Sequence, residues 1–187
     1  MTNINKLIQD LTLKEKISLM SGFNSWYTNK IERLGVPSIK MSDGPNGVRG
    51  DSTSGKSSAC FPCAISIGST WDMDLINQLG VALGEEAKVK DVDVLLGPTI
   101  NIHRHPLGGR HFESFSEDPF LTGKIATEYV KGVQSQNVAA CLKHFIGNDT
   151  EYERHLVSSN IDEKTLREIY LLPFEMGVKE GNAQVVM

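Results

Sequence analysis

The sequence has 187 residues, of which 40% are hydrophobic and 22% are charged, a composition typical of a globular protein with a sizeable core. The formal net charge of -4 and the isoelectric point near 5.7 provide no basic surface, so nucleic acid is not expected as a partner. There is no apolar run of about 18 residues and no apolar leader, so no membrane association is predicted and we expect a cytoplasmic protein.

Predicted helices are marked by capping residues. Thr12-Leu-Lys-Glu15 forms a capping box ahead of a short amphipathic segment. Asp72, Asp118 and Asp162 each precede a stretch with apolar residues at helical spacing, and Pro119 after Asp118 strengthens the second of these starts. Pro173 is expected to kink the last helix, because proline has no backbone N–H.

Short apolar runs alternate with these helices and are predicted as strands. The five runs are residues 38–42, 64–68, 92–97, 138–145 and 183–187. Nearly continuous apolar strands between helices are typical of a parallel sheet covered by helices, so the fold class is α/β. The pattern alone leaves doubly wound and barrel architectures open. The sequence stops within an apolar run, and an eight-stranded barrel needs roughly 250 residues, so we expect a truncated domain over residues 1–187.

Cysteine usage argues against a disulfide framework. Three cysteines are an odd number, and the CFPC stretch at residues 60–63 lacks the second pair that a zinc site needs. We therefore interpret Cys60, Cys63 and Cys141 as structural thiols. No cofactor is predicted.

Polar residues follow the predicted strands. In parallel α/β proteins, binding groups gather where the strands end. The residues concerned are Asp43 after the first strand, His103, Arg104, His105, Arg110, His111 and Glu113 after the third, and Lys143 and His144 in the fourth. Each has a plain alternative: Asp43 in a simple turn, Lys143 on the surface, His144 in the core. Their joint position favours a ligand, because charges in buried strands are costly unless they are satisfied.

The chemistry of this set favours a sugar. The phosphate-binding glycine motifs are absent from the sequence. His103 and His105 lie two residues apart without a matching carboxylate pair, which is weak evidence for a metal. Sugar hydroxyls both donate and accept, so an accepting aspartate with donating lysine, histidine and arginine side chains would satisfy them.

The sequence resembles glycoside hydrolase family 3, specifically its beta-glucosidase branch. The resemblance covers almost the whole chain and rests on five stretches in order: LTLKEKISLMSG, MSDGPNGVRG, LLGPTINIHRHPLGGRHFESFSEDPFLTG, CLKHFIGNDTEYER and IDEKTLREIYLLPFEMGVKEG. It implies an N-terminal TIM-type (β/α)8 barrel, of which this chain would hold about the first five β/α units. A C-terminal α/β sandwich would follow in the same polypeptide.

The resemblance also implies roles for individual residues. Asp43, Arg110, Lys143 and His144 are expected to bind the terminal sugar, and Arg49 to support that rim from behind. Glu113 is interpreted as a buried partner of the nearby arginines, and Glu117 and Asp118 as favourable charges at a helix start.

The implied activity is hydrolysis of terminal non-reducing beta-D-glucosyl residues with retention. The substrate would be a beta-glucoside or a small oligosaccharide. Retention needs two carboxyl groups about 5 to 5.5 Å apart. The resemblance places the nucleophilic Asp and the acid/base Glu beyond residue 187, so the chain alone is expected to be inactive.

Three other functions remain open from the sequence. Beta-xylosidase or arabinosidase activity is one alternative, because xylose differs from glucose only in lacking the hydroxymethyl group. In the family's beta-N-acetylglucosaminidase branch the acid/base is a histidine, whose approximate position His155 occupies, but the surrounding residues differ. A non-catalytic sugar-binding module would retain only the binding rim.

Overall fold

The computed structural model describes residues 3–50 and 56–187, so part of the polar loop that follows Asp43 lies outside the described residues. The chain divides into two compact units, Met1–Met41 and Ser42–Met187. All the residues predicted to form the sugar site belong to the second unit, and each unit is described separately below.

The first unit begins with two short capped helices. Helix α1 Ile4–Asp10 is capped by Asn3, and helix α2 Leu13–Leu19 is capped by Thr12. The predicted capping box is confirmed, because the Thr12 hydroxyl accepts from the Glu15 backbone N–H and the Glu15 carboxylate accepts from the Thr12 backbone N–H. A single 3₁₀ turn, Glu32–Leu34, follows.

The second unit is built on a parallel sheet, as predicted. Within the described residues its strands are β1 Met41–Asp43, of which Ser42 and Asp43 belong to this unit, β2 Val94–Leu96, β3 Ala139–Leu142 and β4 Val185–Val186. They adjoin in chain order, β1-β2-β3-β4. Val94 pairs with Ala139 and Cys141 with Val185, both in parallel register. Four predicted strands are thus confirmed, although each is shorter than its apolar run.

The prediction of a strand at residues 64–68 was wrong, and with it the count of five strands. This run forms helix α3 Ala64–Gly68. Ala64, Ile67 and Gly68 are buried while Ile65 is 45% exposed, which is a helical burial pattern rather than the alternation of a strand. A Cβ on Gly68 would lie 2.4 Å from the Phe115 carbonyl oxygen, so Gly68 packs closely against the backbone of Phe115. This packing on one side of the segment favours a helix, although isoleucine prefers strands.

Two long helices cover the sheet and pack closely on each other. They are α4 Met73–Val89, capped by Asp72, and α5 Pro119–Gln134, capped by Asp118, so both predicted starts are confirmed. A Cβ on Gly132 would lie 2.3 Å from the Asn77 carbonyl oxygen. Glycine therefore permits backbone contact between the two helices.

The last helical region is interrupted. Helix α6 Glu163–Thr165 is capped by Asp162, as predicted, and continues through a π-helical turn at Leu166–Tyr170 into α7 Leu172–Lys179. The irregularity lies just before Pro173, where a regular helix would need the N–H that proline lacks.

The core of the second unit lies between the sheet and these helices and includes Leu83, Leu95, Tyr129 and Leu142. The three cysteines are free, and burial raises the pKa of the Cys141 thiol to about 11. Among the helices of the described residues, none has the length and apolar character needed to cross a bilayer.

Candidate functional site

The sheet places the predicted site residues at one edge. Asp43 is the last residue of β1, and Lys143 and His144 follow β3 directly. Arg110 and Glu113 lie in the loop after β2, where Arg110 precedes a 3₁₀ turn at His111–Glu113. Because β2 and β3 run in parallel, their carboxyl ends open at the same edge of the sheet.

Asp43 forms an ion pair with Lys143. Lys143 Nζ donates to Asp43 Oδ1 at 2.8 Å, and Arg49 Nη1 lies 3.6 Å from Asp43 Oδ2. Burial alone would raise the pKa of Asp43, but the hydrogen bond and charge of Lys143, together with Arg49, lower it below its ordinary value. Asp43 is therefore an ionised acceptor at neutral pH. Arg49 is 75% exposed and approaches Asp43 from the solvent side.

Glu113 is the ionic partner of Arg110. Its carboxylate accepts from Arg110 Nε and from the Thr99 hydroxyl, the latter at 3.0 Å. Burial opposes the charge of Arg110, but Glu113, helped by Glu151 and Asp43, raises the pKa of the guanidinium. Of the nearby arginines with which Glu113 was interpreted to pair, the structure shows Arg110 as its partner, with the Glu113 side chain 12% exposed.

Asn101 fixes which ring nitrogen of His144 carries the proton. Its side-chain N–H donates to the His144 carbonyl at 3.0 Å, and its Oδ1 lies 3.0 Å from His144 N and 3.1 Å from His144 Nδ1. Since Oδ1 can only accept, the ring proton is on Nδ1. Burial, with the charges of Arg110 and Lys143, lowers the pKa of His144 to about 4. The neutral ring therefore presents Nε2 as an acceptor, which differs from the donor predicted from sequence.

Two of the four predicted binding residues, Arg110 and His144, line a common pocket. Thr99, Asn101, Arg110, His144, Asn148 and Glu151 are among its lining residues. Asp43 and Lys143, which pair with each other at the ends of β1 and β3, are not among these lining residues. We call the ion pair together with Arg110 and His144 the polar cluster at the edge of the sheet. The cluster combines two cations with an ionised and a neutral acceptor.

Two other histidines of the loop, His103 and His105, have local structural roles, whereas His111 lines the pocket. His103 Nε2 lies 2.8 Å from the His111 carbonyl oxygen and 3.0 Å from that of Ser114, while His105 Nδ1 accepts from Leu107 N. Both rings thus hold the backbone of their own loop. In the part of the chain that the structure describes, no group of three or more His, Cys, Asp or Glu residues is placed to hold a metal ion.

The same combination of fold and sequence occurs in known proteins. The family described as "Glycosyl hydrolase family 3 N terminal domain" matches residues 5–187. The chain belongs to glycosyl hydrolase family 3. Among the curated family 3 proteins it is 55% identical over 186 residues to a beta-glucosidase of Rhizobium radiobacter, covering 98% of this chain and 23% of that protein. It is 48% identical to thermostable beta-glucosidase B of Acetivibrio thermocellus, covering 99% of this chain and 26% of that protein.

Two solved structures have the same fold over the full length of this chain. The beta-glucosidase of Kluyveromyces marxianus in complex with glucose has a TM-score of 0.96 and 46% identity, and this chain covers 23% of it. The beta-glucosidase 3B of Thermotoga neapolitana in complex with glucose has a TM-score of 0.92 and 40% identity, with 29% covered. The chain thus spans about a quarter of the length of these relatives, and the predicted family is confirmed.

Sequence reasoning on this family 3 chain missed Asn101 and Thr99. Their signal was present, because polar Thr99, Asn101 and His103 alternate with Ile100 and Ile102, which are 1% and 2% exposed. Alternation of this kind indicates an extended segment with one polar side. The segment follows β2, and Thr99 forms an isolated parallel bridge with Lys143.

Proposed function

We propose that this chain is the N-terminal part of a beta-glucosidase, in which Asp43, Arg110, Lys143 and His144 hold the terminal non-reducing glucosyl residue. The observation that carries the proposal is the polar cluster at the edge of the parallel sheet. The names of the relatives and the two glucose complexes support glucose as the sugar.

The polarity of the cluster suits a pyranose. Each sugar hydroxyl can donate one hydrogen bond and accept others. Ionised Asp43 and the neutral ring of His144 would accept from hydroxyls, whereas Lys143 and Arg110 would donate to them. Charge-assisted bonds of this kind are about twice as strong as neutral ones. Arg49 and Glu113 would support this rim through Asp43 and Arg110 respectively.

The four parallel strands correspond, in this proposal, to the first part of a TIM-type (β/α)8 barrel over residues 1–187. A complete barrel needs roughly 250 residues, and the relatives are several times longer than this chain. The remaining strands and a C-terminal α/β sandwich would come from the same polypeptide.

The bond-breaking carboxyl groups would also come from that later polypeptide. Retaining hydrolysis needs a nucleophile and an acid/base about 5 to 5.5 Å apart. Asp43 is paired with Lys143, and Glu113 with Arg110, so both are committed to binding rather than to proton transfer. We propose retention in the full-length enzyme and no activity for residues 1–187 alone.

The experiment measures turnover of four aryl glycosides by the full-length polypeptide and by residues 1–187. The substrates are the β-D-glucoside, the β-D-xyloside, the α-L-arabinofuranoside and the N-acetyl-β-D-glucosaminide. The proposal requires the highest kcat/KM on the glucoside, retention by NMR of the first-formed product, and no turnover by residues 1–187. A preference for another glycoside, or inversion, would contradict it, and sugar binding without turnover by the full-length polypeptide would favour a binding module.

A further inference from the structure

The backbone that follows Asp43 is held by a carboxylate from helix α4. Glu86 Oε2 accepts from the Val48 backbone N–H at 2.8 Å, and Glu86 Oε1 accepts from the Ala59 backbone N–H at 2.7 Å. The Glu86 side chain is only 15% exposed. One carboxylate thus ties both Val48 and Ala59, on either side of the loop after β1, to helix α4.

Lys90, one turn further along the chain, completes this attachment. Its ammonium group lies 3.3 Å from Glu86 Oε1, and it donates to the Val48 carbonyl and to the Ser58 hydroxyl. The Lys90 side chain is 1% exposed. Burial of two opposite charges is costly unless both are satisfied by hydrogen bonds. Because the loop backbone supplies some of these hydrogen bonds, it has a defined position against α4.

A second attachment comes from helix α5. The hydroxyl of Tyr129, a fully buried residue, donates to the Pro45 carbonyl at 2.8 Å. Burial raises the pKa of Tyr129, so this hydroxyl keeps its proton. Glu86 and Tyr129 therefore hold the Asp43 turn, defined as residues 43–50, from two different helices.

Hydrogen bonds within the turn connect Asp43 to the residues that the two helices hold. Arg49 N, adjacent to Val48, donates to the Asp43 carbonyl at 3.0 Å, and Gly50 N donates to the Ser42 hydroxyl at 2.9 Å. A Cβ on Gly44 would lie 1.9 Å from the Gly47 carbonyl oxygen, so the turn has no room to rearrange around a larger residue.

We propose that Glu86 and Tyr129 are positioning residues for Asp43, acting through the backbone of the Asp43 turn rather than by contact with substrate. The inference rests on the proposed function, since it concerns how that function's sugar-binding carboxylate is held. A displacement of a binding group by about 1 Å can cost roughly a hundredfold in rate, so these distant side chains control the strength of sugar binding in the transition state.

The experiment is a pair of double-mutant cycles in the full-length polypeptide. One cycle combines Glu86→Gln with Asp43→Ala, and the other combines Tyr129→Phe with Asp43→Ala. Glutamine is isosteric but turns a donor toward one of the two backbone N–H groups, and phenylalanine removes a single oxygen atom. The readouts are kcat and KM on an aryl β-D-glucoside and the midpoint of thermal unfolding.

The matched control is Glu128→Gln. Glu128 is a carboxylate of helix α5 that accepts from Lys131 Nζ at 2.7 Å and from Asn77 Nδ2 at 3.3 Å, without contact to the Asp43 turn. Glu128→Gln removes a partly buried carboxylate from a helix, as Glu86→Gln does. Its effect on kcat/KM should be the same whether residue 43 is aspartate or alanine.

We expect Glu86→Gln and Tyr129→Phe each to lower kcat/KM about five- to fiftyfold when Asp43 is present, and less than about twofold when it is alanine. Equal losses in both backgrounds would overturn the inference, as would no loss from either substitution. If Glu86→Gln fails to fold, the Tyr129→Phe cycle decides alone. Absence of glucosidase activity in the unmutated protein would instead count against the proposed function.

Discussion

The ammonium group of Lys143 lies 2.8 Å from Asp43 Oδ1, although the two residues are 100 positions apart in the sequence. The Lys143 side chain is 4% exposed and that of Asp43 is 29% exposed. Removal of either partner would leave a poorly solvated charge, which is costly. The ends of β1 and β3 are thereby joined by an interaction that also sets the charge of the proposed sugar-binding carboxylate.

Replacement of Lys143 by methionine should reduce activity and shift its pH dependence. Asp43 would keep its burial but lose its main cation, so its pKa should rise. We expect kcat/KM of the full-length enzyme to fall at least about tenfold, with the acidic limb of its pH profile at higher pH. Lys124→Met, which removes a surface partner of Glu180, is the control. An unchanged acidic limb would show that Lys143 does not control Asp43.

His144 should make stability depend on pH below neutrality. Its pKa is 6.5 ordinarily and about 4 in the fold, because burial and the charges of Arg110 and Lys143 disfavour the imidazolium. Between these values the unfolded chain binds a proton that the folded chain does not, so the free energy of unfolding falls as pH drops from 6.5 to 4. The full shift corresponds to roughly 3 kcal/mol, and solvent screening reduces it.

The measurement is the midpoint of thermal unfolding from pH 4 to 7 for the full-length protein and for His144→Asn. The variant should lose part of the decline toward low pH, whereas His155→Asn, at an exposed position, should retain it. The fold also lowers the pKa of His111 and raises the pKa of Asp149, so both groups contribute to the pH dependence of the parent protein. The contribution of His144 is therefore the difference in pH dependence between the parent and His144→Asn. Identical pH dependence in His144→Asn and the parent would refute the assignment.

Glu113→Gln should weaken substrate binding through Arg110. Glutamine can still accept from the Thr99 hydroxyl or from Arg110, but it leaves the guanidinium without its ionic partner. A lost charge-assisted hydrogen bond of this kind costs about 1.5–3 kcal/mol, so kcat/KM on the aryl β-D-glucoside should fall about ten- to a hundredfold. Glu163→Gln, which removes a largely exposed pair with Arg167, should change nothing measurable. Equal kinetics for Glu113→Gln and the parent would exclude this support.

Gly132→Ala should destabilise the second unit without touching the site. Its Cβ would lie 2.3 Å from the Asn77 carbonyl oxygen and 2.8 Å from Gly80 Cα, so α4 and α5 would have to separate. Overpacking of this kind costs about 1–3 kcal/mol, which should lower the midpoint of thermal unfolding by several degrees. Lys131→Ala, at the neighbouring partly exposed position, serves as the control. An unaltered midpoint would mean that the helices can adjust.

The parts of the fold that sequence could predict are those with local signals. Asp72 and Asp118 cap their helices as predicted, since a capping side chain acts within its own turn. The strand predicted at residues 64–68 failed because a five-residue apolar run suits a strand or one helical turn equally. Contact of Gly68 with Phe115, distant in sequence, decided between them.

The site shows the same division between local and distant information. Residue types at strand ends predicted a polar set at one edge of the sheet, because parallel strands open there, and the family resemblance selected Asp43, Arg110, Lys143 and His144 from that set. The tautomer of His144 depends on Asn101, which lies 43 residues away, and could not be predicted from the sequence around His144. The attachment of the Asp43 turn by Glu86 is equally distant, since it bonds Val48 38 residues earlier.

The most direct test of the central claim is the effect of Asp43→Ala on kcat/KM of the full-length polypeptide with an aryl β-D-glucoside. Charge-assisted hydrogen bonds contribute about 1.5–3 kcal/mol each, so a carboxylate that binds the glucosyl hydroxyls should be worth roughly ten- to over a hundredfold. We predict a loss in that range with the fold retained. Kinetics equal to those of the unsubstituted enzyme would contradict the account and leave Asp43 as part of an ordinary turn.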